Sequence, residues 1–344
     1  MGSLEVRYLR AQDEELWRQL LQHAKAATVY SSTDWLNAIE EVFGWPARRL
    51  AAFDSGRIVG GIGLNVRDVR GAGLFLAPPT LTAYNSFLVL PRTSDNQRKV
   101  ESHDTRIIDA LCSRLERDYV GADLINHPEI TDIRPFQWRG WADRTYYTYL
   151  VDLSDLKCLW EAMFNDVRSK VRKGQKSGFT FGRYGSAKQF YRLWSQTFEK
   201  QGITAPVDED RLKHLFDILE ARGILTVYES CVDGEVASMI AVLKDNERSA
   251  HEWQATTSAR YLETGVFAFS MWSVMEDLAE LGFRQFDLDG AGLKSIAFSK
   301  NQFGGRLAPH YRVWKMRPKG AILMGLWRAS KRLGFADKLR RVLF

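Results

Sequence analysis

One order of secondary-structure signals runs twice along this chain of 344 residues, and that repetition limits the fold more than any single motif. In the first half, LEVRYLR reads as a strand and residues 13–24 and 33–43 as helices. The second helix sets Trp35, Ile39 and Val42 at helical spacing, with Thr33 or Asp34 as its N-cap. RRLAAFDSG and RIVGGIGLNV are β-like runs around an Asp54-Ser55-Gly56 turn, and AGLFLAPP is a third. Residues 97 to 120 carry a helical stripe of Val100, Ile107, Ile108, Leu111 and Leu115. DLINHP, DIRPFQWRGW and TYYTYLVDL complete the half as strand, short helix and strand.

The second half repeats the plan. FTFGRYG is a strand, 186–200 and 208–222 are helices, and ILTVYESCVDGEVASMIAVL is a hairpin turning at Asp233-Gly234. RSAHEWQATT, a helix over 264–281, RQFDLDG, LKSIAFSKNQFGG and PHYRVWKM follow as strand, helix, strand, helix and strand. A helical stretch joins the halves without a Pro- or Ser-rich linker. The expected fold is α/β (α+β): two tandem domains, each a mixed, twisted sheet flanked by helices. The expected boundaries are 1–157 and 179–314, with a linking helix over 158–178 and a C-terminal tail over 315–344.

Composition narrows the class. At 45% hydrophobic and 26% charged residues the chain has material for two cores and is not a disordered polymer. Cys112, Cys158 and Cys231 lie far apart, and no His, Cys and carboxylate set has ligand spacing, so neither a disulfide frame nor a bound metal is expected. The N-terminal sequence is too charged for a signal peptide, and no apolar run reaches the ~18 residues of a membrane span. A soluble, cytoplasmic protein is the expectation.

The net charge of +6 belongs to the tail. Residues 315–344 hold nine Lys or Arg against Asp337 alone, which leaves 39 basic and 41 acidic residues in 1–314. As a helix, residues 320–344 would be basic and amphipathic, suited either to peripheral contact with the inner membrane face or to docking on the body.

Three segments resemble the FemAB-like family of tandem GNAT (N-acetyltransferase-like) transferases. YYTYLVDLSDLKCLWEAMFNDVRSKVRKGQKSGFTF (146–181) is similar to the family's strand ending in Asp-Leu, a helix with spaced Arg and Lys, then Gly and a strand. LAELGFRQFDLDG (278–290) is similar to its Gly, two residues, Tyr/Phe-Asp. IAFSKNQFGG (296–305) is similar to its Phe-Lys, two residues, Phe/Trp-Gly-Gly, except that Ser299 separates Phe298 from Lys300. The resemblance implies two GNAT-like domains and direct transfer of an acyl or aminoacyl group to an amine, with no metal and no covalent enzyme intermediate. It also implies a donor loop at Arg260-Tyr261-Leu262-Glu263-Thr264-Gly265, where simpler GNAT proteins bind CoA pyrophosphate on Gln/Arg-x-x-Gly-x-Gly/Ala. Glu263 occupies the place of the first Gly, and its carboxylate would repel a pyrophosphate. Family members that use aminoacyl-tRNA also lack a good copy of this loop, so an acyl-CoA donor and a tRNA donor both stay open.

Candidate residues follow, each with a plainer alternative. Lys300 is a cation suited to a developing oxyanion or an acceptor phosphate, or a solvated lysine. Asp287 and Asp289 end a strand and share one face, suited to orienting an amine or to capping the turn at Gly290. Glu252, next to His251, lies where this fold puts residues near the reacting carbonyl, and strand alternation lets only one of the two face a cleft. Arg260, Tyr261, Thr264 and Gly265 are donor contacts, although Gly265 serves equally as a packing glycine. Arg168, Arg172 and Lys173 would bind phosphate or form a solvated helix face, and Tyr84 and Asn85 would reach the acceptor. The stretch from Trp138 to Trp141 reads as core and interface.

These readings combine into an N-acyltransferase acting on an amino sugar or another amine-bearing cell-envelope or polysaccharide precursor, small or lipid-linked. The alternatives are an aminoacyl-tRNA-dependent transferase, with tRNA as partner, and a non-catalytic assembly protein on a GNAT fold.

Overall fold

A computed structural model describes residues 4–69, 73–183, 185–199, 202–245 and 249–318. In chain order the first elements are β1 (Glu5–Tyr8), α1 (Glu14–His23), α2 (Thr33–Phe43), β2 (Ala47–Asp54), β3 (Arg57–Val69), β4 (Gly73–Leu76), β5 (Phe87–Val89), α3 (Gln97–Asp118), β6 (Gly121–Ile125) and α4 (Arg134–Trp138). Next come β7 (Ala142–Asp152), α5 (Leu156–Ala162), α6 (Asn165–Lys176), β8 (Thr180–Gly182), α7 (Ala187–Glu199), α8 (Glu209–Ala221), β9 (Leu225–Val232) and β10 (Glu235–Lys244). The chain closes with β11 (Ser249–Thr257), α9 (Val266–Glu280), β12 (Gln285–Asp287), α10 (Lys294–Asn301) and β13 (Arg306–Met316).

Two units form. The first takes Met1–Thr145 together with the stretch from His310 onward; the second is Tyr146–Pro309. In the first unit the strand order is β1-β2-β3-β4-β6-β13, with β5 on β3. In the second it is β7-β12-β11-β10-β9-β8. Each sheet is antiparallel except for one parallel pair, β4 with β6 and β11 with β12. In both units a long helix, α3 or α9, lies in the connection between the parallel strands, which such a pairing needs. The mixed, helix-flanked sheets match the expected fold class.

The periodic stripes form the cores. Ile107, Ile108, Leu111 and Leu115 of α3 are buried against Leu50, Ile62 and Leu124 of the first sheet. Met271, Val274, Met275 and Leu278 of α9 are buried with Ile240, Val242 and Phe286 of the second.

Several details differ from the sequence reading. The strand assigned to the end of the first half, β7, pairs through Leu150–Asp152 with β12 of the second unit. The strand assigned to the end of the second half, β13, pairs through Arg312–Met316 with β6 of the first. The units therefore do not divide at 157/158 and 314/315, because each sheet takes its last strand from the other half of the sequence. The linking helix is two helices, broken at Met163 and Phe164, whose backbones are extended. There the Phe164 N–H donates to Gln302 O at 3.0 Å, a tertiary bond that no local propensity encodes. Ser32, not Thr33 or Asp34, caps α2 by accepting from Trp35 N–H. Trp141 is core and donates to Glu116, whereas Trp138 is 68% exposed. The tail assignment over 320–344 lies outside the described residues. Among the described residues, no helix is long and apolar enough to cross a membrane.

Candidate active site

The parallel pair of the second unit sets the site. β12 is only three residues long, and beyond it the chain turns through Asp289 and Gly290, both in the left-handed region at φ 50° and 68°. Aspartate tolerates that conformation better than most side chains. Asp287 fixes the turn: its Oδ1 accepts from the Asp289 N–H at 2.9 Å and from the Thr148 hydroxyl of β7. The turn presents the carbonyls of Leu288 and Asp289, and the Lys300 ammonium donates to both. Lys300 sits near the end of α10, and its Nζ lies 3.4 Å from Glu252 Oε2.

Glu252 comes from β11, where a bulge makes both it and its neighbour available. Ala241 pairs with Gln254 but Val242 pairs with Glu252, so Trp253 is the extra residue. Strict alternation fails here, and His251, Glu252 and Trp253 are all buried. His251 Nδ1 lies 3.8 Å from Asp287 Oδ2, on the far side of that carboxylate from Thr148. Ligand-capable atoms of His251, Asp287 and Asp289 lie within 4.8 Å of one another, a convergence the sequence reading did not anticipate.

Burial governs the protonation states. It pushes the Glu252 carboxyl above its usual range, and nearby Lys300 only partly offsets this. It pushes the His251 imidazole down, opposed by Asp287, so the ring is neutral at physiological pH. A buried carboxyl with a raised pKa beside an ammonium is a candidate for proton transfer.

The donor-loop candidates are engaged elsewhere. Arg260 and Tyr261 both donate to Glu235 Oε2, at 2.7 and 2.6 Å. The Thr264 hydroxyl accepts from Val266 N–H at 3.3 Å, taking one of the amides at the start of α9. Gly265 has φ 84°, and a Cβ there would lie 2.9 Å from Lys170 Cβ. Its demand for glycine is thus conformational and steric, the packing alternative. Glu263 is exposed. On α6, the Arg168 guanidinium reaches Asn165 while its Nε is buried with no hydrogen-bond partner, Arg172 lies over the Trp160 ring, and Lys173 is exposed.

The chain is similar in part to known proteins. Residues 162–294 match the family described as "Acetyltransferase (GNAT) domain", a stretch that includes β11, α9 and β12 and ends short of Lys300. The crystal structure of FemX superposes with a TM-score of 0.69 at 13% identity, covering 89% of this chain and 96% of that one. A tandem GNAT protein from the clavulanic acid biosynthesis pathway superposes at 0.51 with 11% identity, covering 91% and 98%. Residues 162–294 are thus similar to a GNAT domain, and the chain shares the fold of FemX and of a tandem GNAT protein. The C-terminal domain of a putative lysylphosphatidylglycerol synthetase from Agrobacterium fabrum shares the fold at 0.50 and 14% identity, covering 91% and 95%. No curated protein matches in sequence.

Of the site candidates, Lys300, Glu252, Asp287 and Asp289 come together. Asp287 does so as a buried positioning group, 1% exposed, and is not open to substrate. Asp289 contributes its backbone N–H and C=O to the turn. Tyr84 and Asn85 do not join them. Tyr84 is fully buried in the first unit, edge-on to Tyr30, His127 and His310. Asn85 splints β6, accepting from Ile125 N–H at 2.7 Å and donating to Asp123 O at 3.3 Å. The sequence places both as acceptor contacts, but both side chains are buried in the first unit. Thr148 lies in an alternating strand and carries no motif, so the sequence gives no signal of its role.

Proposed function

We propose that the second unit moves an acyl group from a thioester or ester donor directly to an amine. The observation that carries this is the buried Glu252 carboxyl 3.4 Å from the held Lys300 ammonium, beside the end of β12. The amine nitrogen attacks the donor carbonyl while Glu252 takes its proton. The carbonyl oxygen becomes an oxyanion facing Lys300, whose remaining N–H, on the Glu252 side, turns to the oxyanion as Glu252 takes up the proton and loses its charge. Collapse forms the amide, breaks the bond to the thiol or alcohol, and returns the proton to the leaving group.

The acceptor this reading favours is an amino sugar or another phosphate-bearing, amine-containing envelope precursor, because α6 supplies Arg168, Arg172 and Lys173 in the same unit. The donor loop favours a carrier held differently from ordinary CoA, since Thr264 caps α9 and Glu263 stands exposed. That observation supports a second reading in which an aminoacyl-tRNA is the donor.

Incubating the protein with acetyl-CoA, longer acyl-CoAs and charged tRNA, each with an amino-sugar nucleotide, tests both. One donor should give amide product, and Lys300→Ala and Glu252→Gln should each lower kcat/KM by about 10²–10³. Full activity in both variants would sink the acid–base assignment. No product from any donor would favour an assembly role.

A further inference from the structure

One buried hydroxyl of the second unit lies beside the turn that holds Lys300 and belongs to no motif. β7 runs antiparallel to β12, with Leu150 opposite Asp287. It continues past that ladder: Leu288 N–H donates to Tyr149 O at 2.9 Å and Ala291 N–H to Tyr147 O at 2.7 Å, so β7 also flanks the turn at Asp289 and Gly290. Residues two apart on a strand share a face, which puts Thr148 on the face of Leu150 and diagonal to Asp287. Thr148 is fully buried there, and its hydroxyl donates to Asp287 Oδ1.

From that carboxylate the contacts run outward to the site. Asp287 Oδ1 also accepts from Asp289 N–H at 2.9 Å, which ties it to a turn residue at φ 50°. A residue other than glycine keeps that conformation only where its surroundings hold it. The turn presents Leu288 O and Asp289 O to the Lys300 ammonium, and that ammonium lies 3.4 Å from Glu252 Oε2. A valine at 148 would have nearly the shape of threonine but would leave a carboxylate that is 1% exposed short of one donor. His251 stands opposite Asp287 on the parallel ladder, with Nδ1 3.8 Å from Oδ2. That is beyond hydrogen-bond length, so this contact does not replace the bond from Thr148.

We propose that Thr148 is a positioning residue of the transfer site: its hydroxyl tethers Asp287, Asp287 holds the left-handed turn, and the turn sets the Lys300 ammonium against Glu252. The effect on rate rests on the acyl-transfer reading, whereas the tether itself can be read without a substrate. Lys300 from α10 and Asp287 from β12 are the charged groups that act on Glu252, with the neutral His251 beside it on β11. Lys300, the stronger of the two, lowers the proton affinity of the carboxyl, so an ammonium that drifts away should raise that affinity further.

Thr148→Val and Thr148→Ser, each checked for a wild-type circular dichroism spectrum, test it in two ways. The first is the ionisation of Glu252 in the full chain, followed as the infrared band of its protonated carboxyl and assigned with Glu252→Gln. Its midpoint should move to higher pH in Thr148→Val and return to the wild-type value in Thr148→Ser. The second is steady-state transfer with the donor that gives product. There kcat should fall about ten- to a hundredfold in Thr148→Val while KM for the donor stays within about twofold, and Thr148→Ser should recover most of the loss. Thr148→Ala removes the same hydroxyl and serves both measurements if the valine chain does not fold. A wild-type midpoint or an undiminished kcat in the folded valine or alanine variant, or a serine variant that recovers neither, would overturn the proposal. A wild type that transfers from no donor would instead sink the acyl-transfer reading, and the midpoint would still decide whether Thr148 holds the Lys300 site together.

Discussion

Glu252 is costly to keep where it is. Its carboxyl is 6% exposed, and burial outweighs the attraction of Lys300, so the folded chain holds this proton more tightly than the unfolded chain does. Stability therefore falls as pH rises past the ordinary glutamate value of about 4.3 and continues to fall up to the raised folded value. Glutamine cannot ionise and avoids the penalty. Glu252→Gln should melt no lower than wild type at pH 7, and its advantage should shrink as pH is brought to about 4. Calorimetry at the two pH values checks this; a variant weaker at pH 7 but equal at pH 4 would mean that the ion pair dominates. His251 shifts the other way. Its imidazole is held low by burial, so its share of stability is intact above about 6.5 and drains away on acidification through that value. Sequence signals pointed to Lys300, Glu252 and Asp287, because the motif and the strand ends mark them. They could not separate the roles of Asp287 and Lys300, since that distinction rests on burial and on a left-handed turn at Asp289.

At the level of elements, periodicity was a good guide and tertiary substitution was not. The α3 and α9 stripes are in the cores, while the break between α5 and α6 and the short strand β5 depend on distant partners. Gly265 is instructive. It was read from a phosphate-loop pattern, yet its neighbourhood explains it without a ligand: φ of 84° and the Lys170 side chain against its missing Cβ. Gly265→Ala should lower unfolding stability by about 1–3 kcal/mol in urea denaturation, whatever the site binds. An unchanged midpoint would show that α6 yields easily there and would reopen a ligand-based explanation for the glycine.

The duplicated order of elements was visible along the whole molecule, but the exchange of closing strands was not, because a hydrophobic strand does not declare its partner. The exchange makes a specific prediction. A chain cut after Pro309 loses the 310–316 stretch and with it Val313, which is fully buried, and leaves the edge of β6 open. Hydrogen exchange should then show lost protection across β2, β3 and β6, while β9, β10 and β11 stay protected. Uniform protection in the cut chain would mean that β13 is dispensable. The same arrangement governs how the nascent protein matures. Every strand pair of the later unit lies within 146–309, whereas the earlier unit must wait for His310 and beyond to leave the ribosome. At about 5–20 residues per second that delay is on the order of 10–30 s. The portion translated second can thus finish folding first, and the portion translated first carries a raw sheet edge until the 310–316 stretch emerges.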